Sequence, residues 1–419
     1  MFYSFMSHHL INRREFIQQF IGMGLASNVM FGCNSRPISN KPNIVWFTCE
    51  DLSPWLGCYG DAFAITPNID KFAKQGVRYS NAFATASVCA PSRSTIIQGM
   101  HATCLGTQHL RSQIDLPHSF NCFTKYLRDA GYYCTNNAKQ DYNFKPKAGA
   151  WDESNNKAHW RNRNSSNQPF FSVFNSTTTH LLHYKGGVIP DEEFYKVTKR
   201  LDPHERHNPD EVSLPPFYPD TKKIRKNFAH YYDLVTLMDK EFKDLLNQLK
   251  NDGLFENTLI FFFSDHGTGI TRYKRTLYDT GIQVPLIVYF PDKYKHLAPV
   301  SKGESVHDLV SLIDLAPTML SLAGIQPISR MQGIPFLGKS NKPSRNFIYA
   351  FTGRVDEVYE LSLALRDKQY KYIHNYMPHL PHGQFSHHTE YTHATKQEFR
   401  RLLEANELEG PEKSVIGSK

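Results

Sequence analysis

The sequence contains no closely spaced pair of cysteines, no long apolar segment and no cluster of basic residues. Its seven cysteines include no CxxC pair and all lie in the first third of the chain. This usage argues against a disulfide framework, although an exported protein could still hold one or two bridges. The net charge of +8 is spread along the chain, and no zinc-finger, RNA-recognition or basic-helix pattern accompanies it. We therefore expect an anionic substrate and no nucleic-acid partner.

The N-terminal segment has the pattern of an export signal. Arg13 and Arg14 precede a short apolar run that is broken by Gln and Asn and ends at Cys33. This pattern resembles a twin-arginine signal, and Met30 to Cys33 resembles a lipoprotein box. Residues 1–33 are therefore expected to be a signal peptide, and the protein to be periplasmic or anchored in the outer membrane through lipidated Cys33. The alternative is a simple cleavable signal in which Cys33 has no role.

Apolar runs alternate with helical patterns after this segment. Runs that predict strands lie at 43–51, 77–84, 132–137, 170–175, 259–267, 284–290 and 347–352. Helices are predicted at 66–76, with Gly76 as its C-terminal glycine, and at 91–100, 119–131, 222–250 and 308–323. This alternation is typical of an α/β protein with a mostly parallel sheet. Residues 43–345 are predicted to form the catalytic α/β domain, and 346–419 a shortened C-terminal subdomain with an antiparallel hairpin at 361–376.

Three short segments carry groups that are suited to chemistry. Glu50 and Asp51 end the first predicted strand, Asp265 and His266 end a later one, and Cys89 begins a helix between them. Parallel strands bring their carboxyl ends to one edge of a sheet, so these side chains are expected to lie together. Carboxylates at strand ends are also common in ordinary turns, so each pair alone is weak evidence for a functional site.

The segment VCAPSRSTIIQG, residues 88–99, resembles the signature of the type I sulfatases of the alkaline phosphatase superfamily. Similarity extends from about Asn43 to Tyr376, through WFTCEDLSP, NNAKQDYN, TTTH and FFFSDHGTG, and looks closest to heparan N-sulfatase-like and marine ulvan sulfatases. The resemblance implies an alkaline-phosphatase-like three-layer sandwich. It also implies that a formylglycine-generating or sulfatase-maturing enzyme converts Cys89 to formylglycine (3-oxoalanine). Hydrolysis of sulfate esters in a sulfated polysaccharide, ulvan-like or glycosaminoglycan, is the implied function.

The same resemblance implies roles for individual residues. The catalytic set is Cys89, Arg93, Lys139, His180 and Lys274. One Ca²⁺ is expected on Glu50, Asp51, Cys89, Asp265 and His266. Substrate contacts are expected from His109, Arg111 and Asp141.

Several departures from the family pattern leave the function open to more than one interpretation. Glu50 stands where most members have Asp, His266 where many have Asn, and Asp141 where a histidine is usual. A histidine after Asp265 also resembles phosphonate monoester and phosphodiester hydrolases that use manganese or zinc. An N-sulfoglucosamine sulfohydrolase and a degenerate, non-catalytic binding protein are compatible with the sequence as well. The histidine-rich run 378–393 matches no standard zinc spacing, so a solvated loop is preferred there to a metal site.

Overall fold

A computed structural model describes residues 41–180 and 188–416. The strands are β1 (Asn43–Cys49), β2 (Val77–Tyr79), β3 (Ala82–Phe83), β4 (Tyr133–Asn137), β5 (Glu153–Ser154), β6 (Phe170–Ser176), β7 (Thr258–Ser264), β8 (Leu286–Tyr289), β9 (Ser305–Val306), β10 (Val310–Ser311), β11 (Ile348–Thr352), β12 (Ser362–Arg366) and β13 (Lys371–Asn375). The helices are α1 (Pro67–Gln75), α2 (Cys89–Gln98), α3 (Ala102–Leu105), α4 (Phe123–Asp129), α5 (Asp191–Val197), α6 (Lys222–Asn251), α7 (Asp279–Ile282), α8 (Leu315–Leu322), α9 (His387–Thr392), α10 (Ala394–Glu404) and α11 (Lys413–Ile416).

Eight strands form the main sheet, in the order β5-β4-β6-β1-β7-β8-β2-β9. Only β8 in this sheet runs antiparallel to both of its neighbours. β1 lies between β6 and β7, and both pairings are parallel. The carboxyl ends of β4, β6, β1 and β7 therefore lie at one edge of the sheet, as the strand and helix alternation predicts.

Helices cover both faces of the sheet because the central strands are apolar on both sides. In β1, Ile44 and Trp46 pack toward α4 and α8, whereas Val45 and Phe47 pack toward α1 and α6. Burial on both faces is typical of parallel sheets in α/β proteins. The predicted three-layer α/β sandwich is confirmed.

The C-terminal region adds a separate three-stranded antiparallel sheet, β11-β12-β13. Its β12–β13 pair, from Ser362 to Asn375, confirms the predicted hairpin at 361–376. The division of the chain at residue 345 stays a prediction.

Two local predictions are wrong in detail. The predicted strand at 77–84 is two short strands, because the chain turns at Ser80 and Asn81. The predicted helix at 308–323 begins only at Leu315, after β10 and a 3-10 turn. Gly76 directly follows the last residue of α1, as predicted, with φ −110°. A Cβ there would lie 2.7 Å from the Val288 carbonyl oxygen, so close backbone packing explains the glycine.

The cysteines of the described residues are all free thiols. None of the helices in that part of the chain combines the length and apolar character that crossing a membrane requires. The predicted signal peptide and lipidation site, residues 1–33, lie outside the described residues and stay predictions.

Candidate active site

Cys89 lies at the centre of a buried group of charged side chains. It is the first residue of α2, directly after the extended Val88, and its exposed fraction is 5%. Its Sγ lies 3.3 Å from His266 Nε2 and 3.4 Å from Lys274 Nζ. The short βα connection therefore aims a thiol at an imidazole and an ammonium group.

Three carboxylates surround this position from two adjacent strands. β1 and β7 pair in register up to Cys49 and Ser264, so the residues that follow them emerge side by side. Glu50, Asp51 and Asp265 are each 1% exposed or less. The Asp51 backbone has φ 55°, and its N–H donates to Asp265 Oδ1 at 3.4 Å. The predicted meeting of these strand ends is found in the structure.

Arg93 connects α2 to this group of carboxylates. Its Nε donates to Asp265 Oδ2 at 2.9 Å, and its Nη2 to Glu50 Oε1 at 3.1 Å. Its Nη1 donates to Asn175 Oδ1 at 2.8 Å. The guanidinium fork thereby satisfies three buried acceptors at once, which its planar geometry allows and a lysine could not match.

The two predicted lysines approach from opposite sides of the sheet edge. Lys139 follows β4, and its Nζ lies 2.6 Å from Glu50 Oε1 and 3.5 Å from Asp141 Oδ2. Lys274 follows β7 by a longer loop, and its Nζ lies 2.7 Å from Asp51 Oδ1. Both ammonium groups are thus held beside the thiol by carboxylates that they neutralise.

His180 reaches the same group from the end of β6. Its Nε2 lies 3.8 Å from Glu50 Oε2. Thr179, just before it, donates to the Glu50 carbonyl oxygen at 2.5 Å and fixes the turn after the strand. Each predicted catalytic residue therefore lies in one cluster with each predicted metal ligand.

The charges around the thiol favour its ionised form. Burial alone would raise the pKa of Cys89, but the charges of Lys274, Lys139 and His266 outweigh it and hold that pKa well below its usual value. Burial likewise opposes ionisation of Asp51, and Lys274, His180 and His266 overcome it, so its pKa is also well below normal. For Glu50 burial prevails, and its pKa is raised.

The donor set fits a divalent cation. Asp265, His266 and Cys89 offer ligand atoms within 4.8 Å of one another, and so do Asp51, Cys89 and His180. Calcium prefers carboxylate oxygens as ligands. The His266 nitrogen is a donor that suits manganese or zinc better than calcium. The residues present could therefore hold a metal beside the reactive position.

Two predicted substrate residues contact the loop after β11. The His109 Nδ1 accepts the N–H of Arg354 at 3.0 Å, and Arg111 lies 3.7 Å from Asp356. This loop borders the segment before α2, because Asp356 pairs with Arg275, whose backbone N–H donates to the Ser87 carbonyl oxygen. Asp141 joins the cluster through Lys139.

Asn175 is a residue of the site that the sequence reasoning missed. Besides accepting from Arg93, it accepts from Thr48 Oγ1 at 2.8 Å and donates to Asn136 Oδ1 at 2.9 Å. The signal was present, because Asn175 is a polar residue near the carboxyl end of a strand that otherwise reads as apolar.

The histidine-rich run is more ordered than the predicted solvated loop. His387 begins α9, and His393 lies between α9 and α10 with an exposed fraction of 6%. No group of three metal-ligating atoms forms within this run in the described residues. The description of this run as a loop is wrong for its second half.

Comparisons with known proteins identify the family. The sulfatase family model matches residues 42–325, and a model for the C-terminal part of N-sulphoglucosamine sulphohydrolase matches residues 270–385. An ulvan-active sulfatase of Formosa agariphila is 36% identical and covers 81% of this chain and 62% of that protein. Human N-sulphoglucosamine sulphohydrolase is 26% identical, over 69% of this chain and 61% of that protein. The chain thus spans about three fifths of the length of these curated relatives.

Solved structures share the fold. A protein in complex with its substrate D-glucosamine-2-N,6-O-disulfate superposes with a TM-score of 0.60 at 20% identity, covering 80% of this chain and 89% of the other. The phosphonate monoester hydrolase of Agrobacterium radiobacter gives 0.63 at 15% identity, covering 80% and 87%. At these identities the likeness concerns the fold alone, which is the alkaline-phosphatase-like sandwich.

Proposed function

Because the chain belongs to the sulfatase family, we propose that it hydrolyses a sulfate ester of a carbohydrate through an aldehyde formed at Cys89. The observation that carries this proposal is the position of the Cys89 side chain. It lies in contact with Lys274 and His266, at the start of the helix whose Arg93 holds Glu50 and Asp265. The surrounding cations suit the binding of a sulfate group at that point.

The chemistry explains why this cysteine needs conversion. A sulfated thiol has no easy exit, whereas a hydrated aldehyde at position 89 supplies two hydroxyls, one to attack sulfur and one to expel sulfate afterwards. Arg93 lies one turn along α2 and is fixed by two carboxylates, so it orients the start of the helix. Conversion requires a separate maturing enzyme of the formylglycine-generating or sulfatase-maturing kind.

The cluster also contains residues for a metal and for the leaving group. Glu50, Asp51, Asp265 and His266 would hold a divalent cation, which we propose to be calcium and which would supply Lewis-acid stabilisation of the sulfate oxygens. Lys274 supplies a positive charge on the side of Asp51.

Lys139 supplies positive charge on the opposite side, next to Glu50. His180 is the candidate general acid for the departing alcohol, because its imidazole lies at the margin of the buried cluster and is partly exposed. Asp141 lies beside Lys139 and is placed to contact a sugar hydroxyl.

The names of the relatives support a proposal for the substrate class. Both curated relatives carry names that refer to sulfated saccharides, ulvan in one and N-sulphoglucosamine in the other. We propose a sulfated polysaccharide, ulvan-like or a glycosaminoglycan, as the substrate. An exported protein, periplasmic or attached to the outer membrane through Cys33, would meet such a polymer.

The proposal is tested by sulfate release from ulvan and glycosaminoglycan oligosaccharides. The matured wild-type protein should release sulfate, and Cys89→Ala should lower kcat by at least about a thousandfold, because alanine cannot form the aldehyde. Cys58→Ala, a thiol outside the cluster, is the matched control and should keep full activity. Equal activity of Cys89→Ala and wild type would refute the aldehyde mechanism. Faster turnover of a phosphodiester than of any sulfate ester would identify the chain as a phosphoester hydrolase instead.

A further inference from the structure

A cavity of about 140 Å³ includes Lys274 in its lining. Residues 270–278 form one wall, and C-terminal residues between 353 and 415 form the other. Its charged lining residues are Arg272, Lys274, Arg275 and Lys396, against the single carboxylate of Glu360. Several cationic groups on the wall of one cavity favour an anionic occupant.

Carboxylates outside the cavity pair with three of its four cations. Asp51 pairs with Lys274 at 2.7 Å, Asp356 pairs with Arg275 at 2.8 Å, and Glu390 lies 3.6 Å from Lys396. Lys396 also donates to the Gln384 carbonyl oxygen at 3.1 Å, which fixes its side chain at the cavity wall. The fourth cation, Arg272, lies over the rings of Phe217 and Tyr278. The cations of the wall are therefore held in place by their neighbours.

His393 provides the second, independent observation. Its exposed fraction is 6%, it lines the cavity, and its Nε2 has no hydrogen-bond partner among the described residues. A buried polar atom without a partner costs folding free energy, so it is uncommon in native proteins. A ligand that accepts a hydrogen bond from this nitrogen would remove that cost.

The cavity adjoins the reactive residue. Lys274 forms part of its wall, and the same ammonium group contacts Cys89 Sγ and Asp51. The next residue, Arg275, donates its backbone N–H to the Ser87 carbonyl oxygen at 2.9 Å, two residues before the thiol. A group bound in the cavity would therefore lie close to a sulfate placed at Cys89.

We propose that this cavity binds a second anionic group of the substrate, a carboxylate or a further sulfate, next to the ester that is cleaved. This inference rests on the proposed sulfatase function and assigns its specificity. Lys396 and His393 contact the second anion and make the protein selective for saccharides that carry it. Neither residue takes part in the bond cleavage at Cys89.

Two pairs of saccharides test the inference and distinguish the two sources of charge. One pair is a monosulfated disaccharide with a uronate carboxylate and its methyl ester. The second pair is a disulfated disaccharide and the monosulfated form that lacks the second sulfate. The wild-type protein should show a kcat/KM higher by about tenfold or more for the charged member of one pair, as expected for a charge-assisted hydrogen bond. The pair that shows this preference identifies the group.

The variants Lys396→Gln and His393→Phe should each reduce that preference. For the member of the pair that lacks the second anionic group, kcat should stay within about twofold of the wild-type value. Lys396→Arg should restore the preference in part. Lys240→Gln is the matched control, because Lys240 is a half-buried, ion-paired lysine that does not line the cavity, and it should keep the preference. Thermal unfolding of each variant separates loss of selectivity from loss of folding.

Equal kcat/KM within both pairs for the wild type would overturn the inference and leave the proposed function intact. Equal loss of preference in the Lys396 and Lys240 variants would overturn it as well. Absence of sulfate release from all four saccharides would contradict the proposed function itself. In that case calorimetric binding of the same disaccharides decides about the cavity: weaker binding of the charged member by Lys396→Gln supports an anion site, and unchanged binding excludes it.

Discussion

Replacement of Arg93 by methionine should destabilise the folded protein strongly. The guanidinium donates to Asp265 and Glu50, and all three side chains are nearly inaccessible to water. Removing one partner of a buried ion pair costs roughly 3–5 kcal/mol, because the other charge stays buried. Glu50 keeps Lys139 at 2.6 Å, whereas Asp265 loses the cation nearest to its Oδ2. We therefore expect a loss of about 3–5 kcal/mol, a large share of the stability of a typical domain.

Urea unfolding followed by tryptophan fluorescence measures this free energy, in buffer with a chelator so that no divalent cation replaces the guanidinium. Arg93→Lys keeps the charge but not the fork, and should lose about 2 kcal/mol, roughly one charge-assisted hydrogen bond. Arg200→Met is the control, because both partners of its ion pair with Asp244 are exposed and the pair should contribute less than about 1 kcal/mol. If Arg93→Met lost no more stability than Arg200→Met, the described network would be wrong.

Two further changes test the account at other positions. Burial lowers the pKa of His230 to about 4, so the folded state keeps this ring neutral while the unfolded chain protonates near pH 6.5. Its stability contribution is therefore complete above pH 6.5 and is lost as the pH falls toward 4, by about 2–3 kcal/mol at pH 4.5. His230→Phe should reduce the difference in unfolding free energy between pH 7.5 and 4.5 by about that amount, and an unchanged difference would contradict the assignment. A Cβ on Gly267 would lie 2.2 Å from the Thr280 carbonyl oxygen, so Gly267→Ala should cost about 1–3 kcal/mol and displace the adjacent His266. Urea unfolding and sulfate release measure both effects, and wild-type values for the two would disprove the packing described.

The sequence was sufficient to predict the layered fold because its central strands are apolar on both faces. The runs at β1 and β7 carry no alternation, which distinguishes buried parallel strands from surface strands. The boundaries were less predictable. The break between β2 and β3 and the late start of α8 depend on packing against neighbouring elements, which a local pattern does not contain.

The sequence predicts which residues form the catalytic cluster, but it does not predict which side chains contact one another there. Cys89 and Arg93 occur in one specific motif, and the carboxylates follow recognisable strands. Asn175 belongs to the site because its Oδ1 faces Nη1 of Arg93. Only the three-dimensional packing of β6 against α2 brings these two atoms together. His109 and Arg111 follow the motif closely in sequence, but the chain turns after α3 and directs them to the loop after β11.

The cavity beside Lys274 could not be inferred from the sequence at all. Its walls come from segments more than a hundred residues apart, residues 270–278 and His393 with Lys396. The histidine-rich run gave only a compositional signal, which predicts a surface loop as readily as a binding wall.

The most direct test of the account is the mass of the tryptic peptide from Tyr79 to Arg93, taken from protein isolated from its native host. The account predicts that the sulfur and two hydrogens of Cys89 are replaced by one oxygen, the change from thiol to aldehyde. An unmodified thiol in all of the protein would contradict the proposed mechanism and favour a non-catalytic binding protein.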